Sequence, residues 1–105
     1  MKQHQYRITV EHIADKDGVP PTQPASLTFQ AGNHDEVIGI LQRVQASGLF
    51  EPDQAAAFAL GLKLFGETML MHRDHPLFAE LGPQFGVFMK RFKAHMAEQR
   101  GTPQP

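Results

Sequence analysis

Near the start of the chain apolar and polar positions alternate. Tyr6, Ile8, Val10 and His12 fall between Arg7, Thr9 and Glu11. A repeat of two with β-branched residues predicts a strand over "YRITVEHI", wet on one face. "SLTFQA" alternates again, with Leu27, Phe29 and Ala31 inward and Thr28 and Gln30 outward. Between them lies "ADKDGVPPTQP", whose Gly18, Pro20, Pro21 and Pro24 favour turn or extended backbone. The short separation makes an antiparallel pair the cheapest topology. A lone hairpin is marginal and has to bury one face.

After the second strand the period changes. Val37, Ile40, Leu41 and Val44 recur at helical spacing from Asn33 onward, and Gly48 stands where a left-handed stop is wanted. Pro52 suits a first helical position, and the helix it opens runs to about His72 without an internal proline. "DHPLFAEL" has room for a short turn of helix. A last helix restarts at Pro83, with Phe85, Phe88, Met89, Phe92 and Met96 on one stripe. "RGTPQP" has nothing to bury, so residues 100–105 are expected to be a disordered tail. The pattern predicts one α+β domain over residues 1–99, a two-stranded antiparallel hairpin followed by three to four helices packed on one face.

The long central helix carries two apolar stripes when its residues are placed about 100° apart. Ala55, Phe58, Ala59, Leu62, Phe65 and Met69 form the broad one, and Leu60, Leu64 and Met71 fall nearly opposite. A helix apolar on two sides either runs through the middle of a domain or meets another chain. Leu60, Leu64 and Met71 are therefore interface candidates for a homodimer.

Composition narrows the classes. At 105 residues there is room for one modest core, hiding roughly 65% of the unfolded surface. Eight phenylalanines with one tyrosine and no tryptophan make that core aromatic, with little need for buried polar partners. A formal charge of −1 mixed along the chain supplies no field to gather nucleic acid or anionic lipid. The cluster Lys90, Arg91 and Lys93 reads as the wet face of a helix, not a nucleic-acid site. Without cysteine, disulfides, thiolate zinc sites and a cysteine nucleophile are excluded. The N-terminal stretch lacks the apolar run of a secretory signal, and "AAAFALGL" is too short to span a bilayer. The simplest expectation is a cytoplasmic protein.

Two clusters look chemical, and each has a structural use. In "NHDE", Asn33 suits an N-cap, Glu36 completes a capping box and Asp35 complements the helix dipole, which leaves His34 over. In "HRDHP", His72 and Arg73 suit the last turn of the central helix, Asp74 suits the cap of the next turn and Pro76 its start, leaving His75. His72, Asp74 and His75, with His34 beside them, are the candidate metal ligands. The set straddles a helix break, so its geometry is open. His4 and His12 share a strand face but stand about 26 Å apart, too far for one ion. No GxSxG, HExxH, phosphate-loop or EF-hand pattern occurs. No catalytic residue, cofactor or bound metal is expected.

The segments "HQYRITVEHI", "ALGLKLFGE" and "RDHPLFAEL", in that order, resemble a family of short bacterial proteins classed as a domain of unknown function. The resemblance covers about Lys2 to Lys93. It implies a bacterial setting and a single domain, and no activity, substrate or cofactor. The leading expectation is a non-enzymatic interaction module that self-associates or binds a protein partner. A small hydrolase or metal-binding protein using the His72, Asp74, His75 turn is the alternative, and nucleic-acid binding is a weak third.

Overall fold

The structure is a computed structural model and describes residues 2–23 and 25–101. Pro24 and residues 102–105, most of the expected tail, lie outside the described residues. The architecture is α+β. Strands β1 (His4–His12) and β2 (Ala25–Asn33) are followed by helices α1 (Val37–Ser47) and α2 (Pro52–Met71), a 3₁₀ turn (Pro76–Phe78) and helix α3 (Leu81–Gly101). The chain groups into two compact units, the hairpin through Asp35 and the helices from Glu36.

In the hairpin unit β1 and β2 pair antiparallel, with Tyr6 opposite Ala31, Ile8 opposite Phe29 and Val10 opposite Leu27. Side chains of directly opposed residues share a face, so these six make the apolar one. On the other face the Thr9 and Thr28 hydroxyls meet at 2.9 Å. The loop is held by Asp15, whose carboxylate accepts from the N–H groups of Asp17 and Val19, each at 2.9 Å. Gly18 takes φ +84°, a conformation costly for any residue with a Cβ. Burial departs from the expectation that one face is inward. Val10 is 60% exposed and Leu27 66%, while Tyr6 and Ile8 are half-buried. His12, at the end of the same face, is exposed as well.

In the helical unit α1 has the expected stripe. Val37 and Val44 are buried, Ile40 and Leu41 half-buried, and Gly48 closes the helix at φ +77°. Its start differs from the expected capping box. The N-cap is Glu36, whose carboxylate accepts from Ile38 N–H at 2.7 Å and Gly39 N–H at 3.0 Å. Asn33 belongs to β2, where it is buried and its Oδ1 accepts from Asp35 N–H at 3.0 Å. The cap lies three residues later because the strand continues through Asn33. Gly39 suits this arrangement, since a Cβ there would sit 2.9 Å from Glu36 Oε1.

The core joins Val44 of α1 to Ala55 and Ala59 of α2, all three essentially without solvent contact. Phe58, Phe92 and Met96 pack against it. Phe58 meets Phe50, Phe88 and Phe92 edge-on with ring centroids 5.3 to 6.4 Å apart. Further along, Phe65 meets Phe78 and Phe85 the same way at 6.0 and 5.4 Å. Such pairs add about 1 kcal/mol each to area burial. Helix α3 starts at Leu81, two residues before the expected Pro83, and runs to Gly101. Among the described residues no helix is long and apolar enough to cross a membrane.

Two substitutions check this arrangement by chemical denaturation. Ala59→Leu forces a larger side chain into the buried cluster of Val44, Ala55 and Ala59 and should cost about 1 to 3 kcal/mol. Glu36→Ala removes the side-chain cap of α1 and should cost about 1 kcal/mol.

Candidate functional site

The "HRDHP" corner follows the end of α2. The helix ends at Met71, and His72 is its C-cap, donating its backbone N–H to Thr68 and Met69 carbonyls at 3.1 and 3.2 Å. Arg73 therefore lies one step beyond the helix, not in its last turn. Asp74 does not cap the next turn. His75 does, its Nδ1 accepting from Leu77 N–H at 3.0 Å. That bond places the ring proton on Nε2 and occupies the nitrogen nearer the backbone. The one residue of the motif that had no assigned task is the one that fixes the corner. Its ring also lies 6.2 Å from that of Phe78.

Of the candidate ligands, His34 belongs to the hairpin unit, while His72, Asp74 and His75 are exposed residues of the helical unit. Among the described residues no three His, Cys, Asp or Glu side chains converge as metal ligands would. His4 and His12 sit at opposite ends of β1, opposite Asn33 and Ala25. Of the interface candidates, Leu60 and Leu64 are half-buried and Met71 is 48% exposed.

A different feature went unread in the sequence. Helix α2, the 3₁₀ turn and α3 enclose a groove of about 300 Å³, within the range of small-molecule pockets. Met69, Leu70, Phe78 and Phe85 give it apolar walls, and Arg73 is its single charged residue. Gly66, Gly82 and Gly86 complete the lining. Gly66 lets Phe85 approach, since a Cβ there would touch its ring at 3.4 Å. Gly82 and Gly86 have no such reason, because a Cβ at either meets nothing within 4 Å. Glycine inside a helix costs about 1 kcal/mol against alanine. Three glycines within helical segments were thus the available signal, and Arg73 could be read as helix-end chemistry alone.

Residues 4–94 match a family described as a domain of unknown function with a solved structure, DUF3861. The fold is similar to the crystal structure of a protein of unknown function from Pectobacterium atrosepticum. The two share 36% identity at a TM-score of 0.75 over 89% of this chain and 99% of that one. No curated protein matches the chain.

His75→Ala is expected to loosen the corner, lowering the thermal midpoint and shifting the Leu77 amide resonance. Elemental analysis of untagged protein should give the same transition-metal content, well below one atom per chain, for the wild type and for His72→Ala combined with His75→Ala. Near-stoichiometric metal lost in the double variant would make the corner a metal site.

Proposed function

The chain belongs to the DUF3861 family, and we propose that it is a non-enzymatic interaction module of the bacterial cytoplasm that pairs with a second copy of itself. The observation that carries this reading is the apolar face of the hairpin. Val10 and Leu27 are direct cross-strand partners, 60% and 66% exposed, and Phe29 beside them is 38% exposed. Ile13, just past the end of β1, is 73% exposed. Contiguous apolar surface of this kind marks a contact site more often than a face kept in water.

Among the described residues the sheet has two strands, so the outer edge of each lies outside the β1–β2 ladder. A second copy satisfies both needs at once, adding a strand at the edge while covering the apolar face. A two-fold arrangement presents the same patch from each copy, which is the commonest form of self-association. Leu64 and Met71 of α2 offer a second, smaller surface in the helical unit. A hydrolase or metal protein built on His72, Asp74 and His75 has less support, because the His75 ring is already engaged by Leu77 N–H.

Light scattering on the full chain at micromolar concentration should give twice the chain mass. Val10→Asp with Leu27→Asp should return the monomer with the helical circular dichroism unchanged, and Gln30→Ala on the polar face should leave the pair intact. A wild-type chain that stays monomeric at every concentration overturns the reading. Loss of pairing in Leu64→Asp alone moves the contact to α2.

A further inference from the structure

We propose that the groove between α2 and α3 binds a short apolar acid, a single carboxylate on a saturated chain, with the Arg73 guanidinium holding the carboxylate at its mouth. The inference is independent of self-association, since every lining residue lies in the helical unit.

Size sets the first limit. A groove of about 300 Å³, filled at about 30 Å³ per heavy atom, takes roughly ten such atoms. The walls set the chemistry. Met69, Leu70 and the rings of Phe78 and Phe85 present no hydrogen-bonding side-chain group except the weakly accepting Met69 sulfur, so the body of the ligand has to be apolar. Both rings are braced from behind by Phe65, and the Phe78 side of the groove is held by the His75 cap on the 3₁₀ turn.

Charge sets the head group. Arg73 makes no ion pair or side-chain hydrogen bond with any described residue, and no Asp or Glu lines the groove. A guanidinium presents two parallel N–H donors that match a carboxylate. With one arginine and no second cation in the lining, the site is suited to a monoanion, which disfavours a phosphate dianion. Gly82 and Gly86 then have a function. A Cβ at either position would meet nothing within 4 Å, so a larger side chain there is free to extend into the groove that both glycines line.

Octanoate, with ten heavy atoms, is the probe, and octanol and octyl phosphate are its neutral and dianionic counterparts. Calorimetric titration of the full chain, with amide resonances of Gly82 and Gly86 followed by NMR, is expected to show octanoate binding about fivefold more tightly than octanol. That ratio is modest because the guanidinium keeps its access to water. Arg73→Gln should bring the two to equal affinity without moving the thermal midpoint. Gly86→Leu should abolish binding of both while the midpoint holds or rises, since leucine favours the helix more than glycine does. Octanoate binding unchanged in either variant overturns the proposal, as does a wild-type chain whose glycine resonances do not respond. Tighter binding of octyl phosphate than of octanoate overturns the assignment of the head group.

Discussion

Helix α1 lies close on α2 because Ala55 and Ala59 stand one turn apart and offer no side chain to hold it off. Val44 fills the contact, and burial of a valine is worth about 2 kcal/mol against leaving it in water. On the α3 side of α2 the chemistry is opposite. There Phe58 faces Phe88 and Phe92, and Phe65 faces Phe85, so whole rings stand between the two helices. One helix therefore meets α1 chiefly through alanines and α3 chiefly through rings. Towards the end of α2, Gly66, Gly82 and Gly86 stand beside Phe78 and Phe85 around the space left between α2, the 3₁₀ turn and α3.

Much of this was legible in the sequence. Alternation located both strands and their faces, while the register that sets Ile8 opposite Phe29 and Val10 opposite Leu27 was not legible, because a slip of two residues keeps the same faces. Helical spacing located α1 and its buried Val37 and Val44, Pro52 marked the start of α2, and Gly48 marked the end of α1. These signals are strong because each is a backbone or burial requirement that few residue types meet. The resemblance carried by three separated segments agrees with the family that residues 4–94 match.

Caps were harder to place, for a common reason. Asn33 and Asp74 are better N-cap residues by composition than Glu36 and His75, yet the latter two make the bonds. Propensity ranks residue types at a known boundary, and it does not locate the boundary. β2 continues through Asn33 because its backbone pairs with His4, and the corner after α2 turns once more before the 3₁₀ turn opens. The groove was hidden more completely. Met69 and Phe85 read as ordinary stripe positions and Arg73 as a helix-end cation, Leu70 and Phe78 belonged to no stripe, and the glycines leave no periodic mark. Depth of burial was hidden too, since alternation separates the faces of a strand without saying what covers them.

The aromatic residues are divided unevenly between the two units. Tyr6, the single tyrosine, lies on β1, with its hydroxyl 3.4 Å from the Asp35 carbonyl oxygen. Phe29 is the one phenylalanine of the hairpin, and the other seven of the eight lie from Phe50 onward, in the helical unit. With no tryptophan to overlay them, the chain carries two separate optical labels. The tyrosine absorption and emission bands belong to the hairpin alone, and the phenylalanine fine structure at shorter wavelength belongs almost wholly to the helices. Whether the two units melt together or in turn is written into the unlabelled protein's own ultraviolet spectrum.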